Sequence, residues 1–305
     1  MIFDDIKREI SKVIVGQEEM IEAILIAMLS EGHILLEGLP GLAKTMSIKT
    51  LSRVLGLDFK RVQFTPDLLP SDIIGAMIYD MRKGEFYVKK GPVFTNLLLA
   101  DEINRAPSKV QSALLEAMGE RQVTIDKDSY KLSSPFVVMA TQNPIEQEGT
   151  YNLPEAQLDR FMMKVFIDYP SLDEELEVLN RAERGFEKLS VSKVANREDI
   201  ERAKKEIEGI YIEEALKRYI LNIVFATREH KDLMYGSSPR GSIDLLKASK
   251  AKAYLKGKDF VSPKDILEIA KPVLRHRVIL SYEARAKGVC ADEVLDKILE
   301  SLPIP

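Results

Sequence analysis

The sequence predicts an α/β fold, in which a parallel β-sheet carries helices on both faces and a helical domain follows. Five apolar segments have the character of buried strands, and helical spacing separates most of them: His33–Glu37, Lys60–Phe64, Asn96–Asp101, Phe136–Thr141 and Met163–Tyr169. After Tyr169-Pro170 charged amphipathic helices take over: Asp173–Arg184, Arg197–Gly209, Glu213–Thr227, Ser242–Leu255 and Pro263–Leu274. We therefore expect an α/β domain over residues 1–170 and a helical domain over residues 171–305.

Two segments interrupt the alternation of strands and helices, and their patterns indicate β-hairpins. In the segment Ile74–Pro92 alternating residues flank Lys83-Gly84. In the segment Gln122–Leu132 apolar and polar residues alternate before Lys127-Asp128, the expected turn. Hairpins that project from an α/β core are candidates for contact with a client molecule, and solvated decoration without a function is the alternative.

Composition excludes several classes of protein. The 305 residues are 45% hydrophobic, enough for a large core, and a formal net charge of −4 with both signs interspersed provides no global basic field for nucleic acid. The three histidines lie far apart in the sequence, so we expect no metal site built on histidine. The one cysteine, Cys290, cannot form an internal disulfide, and we expect it to be a buried structural thiol.

The sequence also carries no signal for a membrane. The N-terminus contains Asp4, Asp5, Lys7 and Arg8 where a signal peptide would be apolar. The apolar run Ile21–Leu29 is too short to span a bilayer. We expect a cytoplasmic protein with no direct membrane insertion.

Residues Gly38 to Thr45, GLPGLAKT, join a predicted strand to a helix-compatible stretch and predict a phosphate-binding loop. Gly38 and Gly41 let the backbone N–H groups turn inward, Lys44 supplies a positive charge for the β- and γ-phosphates, and the Thr45 hydroxyl can bind Mg²⁺. Ala43 departs from the usual pattern, which has glycine before the lysine. The predicted phosphate-binding residues are Gly38, Gly41, Leu42, Ala43, Lys44, Thr45 and Met46.

Two acidic residues follow the apolar run Leu97–Ala100, at the end of a predicted buried strand. Ligands of open α/β sheets collect outside the carboxyl ends of the strands, so the acids and the phosphate loop should meet at one edge. Asp101 would hold the metal, directly or through water, and Glu102 would activate the attacking water. Solvated charges at a strand end are the alternative.

Over nearly the whole chain the sequence resembles the AAA+ ATPases of the MoxR family. The matching segments are GLPGLAKT from Gly38, LLLADEINRAP from Leu97, LLEAMGERQVT from Leu114, ATQNP from Ala140, LPEAQLDRF from Leu153, GSSPR from Gly236 and LRHRVILSYEA from Leu274. The resemblance implies a P-loop AAA+ core with a five-stranded parallel sheet and two β-hairpin insertions, followed by an all-helical lid domain. Alanine before the lysine is familiar in this family.

The resemblance also implies roles for residues outside the phosphate loop. Val15, Gly16 and Gln17 resemble the segment that packs on adenine. Asn143 resembles the first sensor, which orients the attacking water or contacts the γ-phosphate. An ordinary turn residue before Pro144 is the alternative for Asn143.

Three arginines are further candidates. Arg160 resembles the arginine finger that a neighbouring subunit inserts, with a salt bridge to Asp159 or Glu155 as the alternative. Arg105 competes with Arg160 as the cation at the subunit interface. Arg240 resembles the second sensor of the γ-phosphate; a solvated arginine at a helix start is less favoured, because its charge opposes the helix dipole.

As a whole, the resemblance implies an ATPase that uses ATP and Mg²⁺, forms a homo-oligomer, most simply a hexameric ring, and remodels partner proteins as a chaperone. A von Willebrand factor A domain protein is the implied kind of partner. Two alternatives remain from the sequence: a nucleic-acid-stimulated motor of the same clade, with Lys83, Lys89 and Lys90 as a local basic rim, and a weakly hydrolysing nucleotide switch.

Overall fold

A computed structural model describes residues 2–39, 41–143 and 150–305 of the chain. Pro40 of the phosphate loop and Pro144, which follows the sensor candidate, lie outside the described residues. The chain divides into two compact units: residues 1–153 with 165–201, and residues 154–164 with 202–305. The predicted domain boundary at residue 170 stays a prediction.

The first unit is built on a five-stranded parallel sheet, as the sequence predicted. The strands are β1 (Ile34–Gly38), β2 (Phe59–Gln63), β5 (Leu97–Asp101), β8 (Val137–Gln142) and β9 (Met163–Ile167), in the order β2-β5-β8-β1-β9. The central strands β1, β5 and β8 are almost completely buried, because helices cover both faces of a parallel sheet. Since β1 and β5 flank β8, their carboxyl ends lie along one edge of the sheet.

Helices precede, connect and follow the strands of this unit. They are α1 (Ile2–Ser11), α2 (Glu18–Leu29), α3 (Lys44–Leu55), α4 (Pro70–Ile74), α5 (Ser108–Glu120) and α7 (Leu172–Arg184). Helix α3 directly follows the phosphate loop, and α2 is buried along nearly its whole length. A helix between two parallel strands is the usual connection, because parallel strands need a crossover.

Both predicted hairpins are present. The first pairs β3 (Gly75–Asp80) with β4 (Glu85–Lys90), and the second pairs β6 (Gln122–Ile125) with β7 (Asp128–Lys131). The predicted turn of the second hairpin was wrong by one residue, since Ile125 pairs with Asp128 and the turn is Asp126-Lys127. Asp126 has a φ of 58°, and aspartate tolerates this left-handed conformation, which a two-residue hairpin loop requires.

The second unit is helical apart from one short two-stranded sheet, β10 (Leu233–Tyr235) with β11 (Ile279–Leu280). Its helices are α6 (Glu155–Leu158), α9 (Glu214–Glu229), α10 (Pro239–Leu255), α11 (Pro263–Leu274), α12 (Tyr282–Ala286) and α13 (Ala291–Ser301). Helix α8 (Arg197–Glu208) contains the division between the two units.

Cys290 is exposed, so the prediction of a buried thiol was wrong: the residue is the N-cap of α13 and precedes the buried positions of that helix. Among the described residues, no helix combines the length and the apolar character that a bilayer crossing requires.

Candidate functional site

A cavity of about 440 Å³ lies in the first unit, at the carboxyl edge of the sheet. Many of the residues predicted for the site line it. They are Gly38, Gly41, Leu42, Ala43, Lys44, Thr45 and Met46 of the phosphate loop, Asp101 and Glu102 after β5, and Asn143 after β8. The remaining lining residues are Arg61, Gln63, Thr141 and Gln142.

The described part of the loop, which excludes Pro40, turns through positive φ values at Gly41 and Ala43. Gly41 has a φ of +88°, and no atom lies within 4 Å of the place where a Cβ would stand. Ala43 has a φ of 54°, so this position bears a Cβ in a left-handed conformation that glycine adopts more readily. Ala43 is also the N-cap of α3 and provides no side-chain cap, which leaves the first N–H groups of the helix for an anion.

Lys44 lies between the loop and the two acids. Its Nζ donates a hydrogen bond to the Gly38 carbonyl oxygen at 2.6 Å, which holds the side chain across the loop. Burial lowers the pKa of Lys44, and the charges of Asp101 and Glu102 act in the opposite direction. A half-buried ammonium group beside carboxylates has the electrostatic character of a phosphate-binding lysine.

Thr141, on β8, organises the two acids of β5. Its Oγ1 donates to Asp101 Oδ1 at 2.6 Å and accepts from the Glu102 backbone N–H at 2.8 Å. Glu102 has a φ of 55°, so the chain turns sharply out of the strand after Asp101. A non-glycine residue in this region costs free energy and is held only by its surroundings, here the hydrogen bond from its N–H.

Sequence reasoning missed Arg61 and Gln63 on β2. Arg61 donates to Asp101 Oδ2 from Nη2 at 2.6 Å and from Nε at 3.0 Å, and Gln63 Nε2 donates to Glu102 Oε2 at 2.6 Å. β2 pairs with β5 in parallel, with Gln63 opposite Asp101. The strand-end rule that identified Asp101 therefore also pointed to Gln63, once β2 was known to neighbour β5.

Arg105, the competing interface arginine, contacts the acid pair of its own chain. Its Nε lies 3.2 Å from Glu102 Oε2. Glu102 thus has Gln63 and Arg105 at the same carboxylate oxygen. The contact gives Arg105 a role within one chain that the sequence did not suggest.

The predicted adenine segment does not line the 440 Å³ cavity. Gly16 and Gln17 both adopt left-handed conformations, with φ values of 66° and 61°, between α1 and α2. Gly16 lines a separate small cavity with Ile10, Ile14 and Ile21. The φ of Gly16 favours glycine, whereas the Glu174 carboxylate, 2.7 Å from the place of a Cβ on Gly16, belongs to a flexible side chain that could move aside.

Arg160 and Arg240 belong to the second unit. Arg240 is the second residue of α10, and its Nη1 lies 3.3 Å from both Asp159 Oδ2 and the Asp159 carbonyl oxygen. The Asp159 carboxylate offsets the unfavourable placement of a cation at a helix N-terminus. Asp159 also accepts a hydrogen bond from Arg277 Nε at 2.9 Å, and the neighbouring Arg160 is exposed.

The cavity fits Mg²⁺-ATP chemically. Its volume lies within the range of small-molecule sites, and it combines uncapped helix N–H groups, a lysine and two acids. No group of three or more histidine, cysteine or acidic side chains able to hold a metal occurs in the described part of the chain. Proteins bind Mg²⁺ through one or two carboxylates together with phosphate oxygens and water, and the Asp101 carboxylate and the Thr45 hydroxyl that line this cavity are of that kind.

Comparison with known proteins finds two matching family models and several similar sequences. The model of the ATPase family associated with various cellular activities (AAA) matches residues 33–163, and that of the AAA lid domain matches residues 225–298. The chain is 44% identical to the chaperone MoxR1 of Mycobacterium tuberculosis, covering 97% of this chain and 81% of that protein. It is 30% identical to the protein MoxR of Paracoccus denitrificans, covering 99% and 96%.

A solved structure is also similar. A crystal structure of a protein from Cytophaga hutchinsonii, assigned as an ATPase, superposes with a TM-score of 0.94 at 49% sequence identity. The match covers 100% of this chain and 95% of that one.

Proposed function

The chain belongs to the MoxR family of AAA+ ATPases, and on this premise we propose that it binds Mg²⁺-ATP in the cavity at the carboxyl edge of the sheet and hydrolyses it. The observation that carries the proposal is that Lys44, Thr45, Asp101, Glu102 and Asn143 line one cavity although they come from three separate segments of the chain. These are the residue types that phosphoryl transfer needs: a cation, a metal-binding pair, a general base and a polar sensor.

Each residue has a step in the proposed mechanism. The N–H groups of the loop and Lys44 hold the β- and γ-phosphates, while Thr45 and Asp101 would hold Mg²⁺, Asp101 directly or through water. The metal would neutralise charge on the phosphates. Glu102 accepts a proton from the attacking water, and Asn143 orients that water. Thr141 keeps Asp101 and Glu102 in place through its two hydrogen bonds.

Asp101 and Glu102 both have competing partners in the first unit. Arg61 is paired with Asp101 Oδ2, and Gln63 with Glu102 Oε2. Asp101 would therefore have to exchange its Arg61 contact for the metal, and Glu102 would have to turn from Gln63 toward the phosphate to activate water. The arrangement favours a site that is completed only when nucleotide and metal are bound.

Val15, Gly16 and Gln17 are proposed to contact the adenine base, as the family resemblance implies. Arg240 is proposed to sense the γ-phosphate, and Arg160 to act on the active site of a neighbouring subunit. An arginine supplied in trans stabilises the charge of the transition state, so hydrolysis requires assembly. We propose a homo-oligomer, most simply a hexameric ring, in the cytoplasm.

The proposed use of this hydrolysis is chaperone-like remodelling of partner proteins. One relative is named a chaperone, which supports this class of activity. A von Willebrand factor A domain protein is the kind of partner that we propose for it. Exposed aromatic residues on the first hairpin, Tyr79, Phe86 and Tyr87, provide a surface for such contacts.

The first experiment measures steady-state Mg²⁺-ATP hydrolysis at increasing protein concentration. The expected result is a specific activity that rises with concentration, because the trans arginine is present only in the assembly. Glu102→Gln should retain ATP binding and lose hydrolysis, and Glu120→Gln, on the exposed end of α5, serves as the control. Turnover by Glu102→Gln at the normal rate would contradict the role of Glu102.

A further inference from the structure

Arg277 is the most completely buried cation in the described part of the second unit, with 1% of its side chain exposed. It donates to the carboxylates of Asp159, at 2.9 Å, and of Asp244. It also donates to the carbonyl oxygens of Phe161 at 2.8 Å and Val273 at 3.0 Å. A planar guanidinium with several donors suits such a site, which a lysine could not satisfy.

Two of the partners of Arg277 flank one residue of the chain. Asp159 and Phe161 precede and follow Arg160, and Arg277 contacts both. The neighbouring His276 strengthens this attachment, because its buried Nε2 lies 2.8 Å from the same Phe161 carbonyl oxygen. Burial, and the charge of Arg277, hold the pKa of His276 well below its usual value, so the imidazole is neutral and Nε2 donates.

Arg240 contacts Asp159 in a different way. Its side chain is 51% exposed, and its distances to Asp159 are 3.3 Å. Arg277 is therefore the fixed partner of Asp159, and Arg240 is the exposed and exchangeable one. An anion such as a phosphate can compete with Asp159 for Arg240 without disturbing Arg277.

We propose that Arg277 is a positioning residue for Arg160, and that Asp159 joins Arg160 mechanically to Arg240. Arg277 fixes the backbone on both sides of Arg160, so that the exposed arginine projects from a rigid backbone segment. A change at Arg240 on nucleotide binding is transmitted to the same segment through the shared Asp159 carboxylate. This inference rests on the proposed function, in which Arg160 acts on a neighbouring subunit and Arg240 senses phosphate.

The test uses Arg277→Lys, which keeps the charge and loses the fork of donors. Alone, the variant should hydrolyse ATP about tenfold more slowly or worse, as expected for a misplaced catalytic group, with ATP binding unchanged. Mixed in equal amounts with Glu102→Gln, it should regain activity, because its intact Glu102 then faces a correctly placed Arg160. Random mixing in a ring makes about a quarter of the interfaces productive, which sets the ceiling of the recovered rate.

Two further variants give the matched comparison. Arg160→Ala mixed with Glu102→Gln should recover to the same extent as Arg277→Lys. Arg275→Lys is the control, because Arg275 lies two residues before Arg277 in the sequence and pairs instead with Asp292 at 2.8 Å. The Arg275→Lys variant should keep the wild-type rate. If Arg277→Lys does not fold, Asp159→Asn, which preserves side-chain shape, takes its place in the same mixing experiment.

The outcomes separate the two proposals. Failure of Arg160→Ala to recover in assembled mixed rings would overturn the trans role of Arg160 and this inference with it, whereas hydrolysis in the cavity is tested separately by Glu102→Gln. Recovery of Arg160→Ala together with no recovery of Arg277→Lys would assign Arg277 a purely structural role and overturn only this inference. A wild-type rate for Arg277→Lys on its own would also overturn it.

Discussion

Acidification should destabilise the first unit through His33. This histidine directly precedes β1. Its Nδ1 accepts a hydrogen bond from the Val138 N–H at 3.0 Å, so its Nε2 carries the proton and donates to the Met118 carbonyl oxygen at 3.2 Å. Burial, aided by the charge of Arg121, lowers the pKa of His33 from 6.5 to about 4. Protonation would remove the acceptor that the Val138 N–H needs.

The sign and the size of the change in the free energy of unfolding follow from this pKa. The unfolded chain binds a proton below pH 6.5 and the folded chain only near pH 4, so the stabilising contribution is complete above pH 6.5 and is lost as the pH falls. The loss is about 2 kcal/mol at pH 5 and approaches roughly 3 kcal/mol below pH 4, at about 1.4 kcal/mol per unit of pKa.

Two measurements check the expectation. NMR titration of the His33 imidazole in the native protein should give a pKa near 4. Urea unfolding of the wild type and of His33→Asn, at pH 7 and pH 5, should give a smaller loss of stability on acidification in the variant. An imidazole that titrates near 6.5 in the folded protein, or equal losses in the two proteins, would refute the reasoning.

Three other changes have defined outcomes. Lys44→Met should weaken Mg²⁺-ATP binding at least tenfold, because a charge-assisted hydrogen bond contributes roughly 1.5–3 kcal/mol. Titration with a fluorescent nucleotide measures the affinity, and an unchanged affinity would contradict the role of Lys44 in phosphate binding. Arg61→Gln should lower the Mg²⁺ concentration needed for half-maximal hydrolysis, since Asp101 loses a competing cation. The free energy of unfolding should change by less than about 1 kcal/mol, because 45% of the Arg61 side chain is exposed. Gly75→Ala should disrupt the first hairpin, because a Cβ would stand 2.3 Å from the Lys89 carbonyl oxygen. Gly84→Ala, whose Cβ would have its nearest neighbour at 3.9 Å, should lower the free energy of unfolding by only about 1 kcal/mol. Equal melting temperatures of the two variants would contradict this expectation.

Much of the fold was predictable because buried parallel strands and amphipathic helices leave strong patterns. The apolar run ending at Asp101 predicted β5, and the periodicity of Pro263–Leu274 gave α11 with its bounds as observed. The short pairing of β10 with β11 was not predictable, because it joins two segments of two or three residues that are distant in sequence. Local pattern carries little information about such contacts.

Some residues of the candidate site were also predictable from the sequence, and others were not. Lys44, Asp101 and Asn143 were predictable because each belongs to a motif with a fixed place at a strand or helix end. Arg61 and Gln63 were not, since their importance depends on β2 lying beside β5, which is a matter of strand order. The environment of Arg277 depends on a contact between residues more than a hundred positions apart, for which one sequence gives no signal.

The second unit takes residues 154–164 from the middle of the chain and the rest from residue 202 onward. During synthesis the Arg160 segment is made well before Arg277, so its attachment to Arg277 has to wait for the later part of the chain. For the same reason, residues 202–305 expressed as a fragment would expose the Arg277 guanidinium where Asp159 and the Phe161 carbonyl oxygen are missing. A circularly permuted chain that begins near residue 202 and joins Pro305 to the N-terminus would reverse this order of events, and refolding yields of the two chains would show how much biogenesis depends on it.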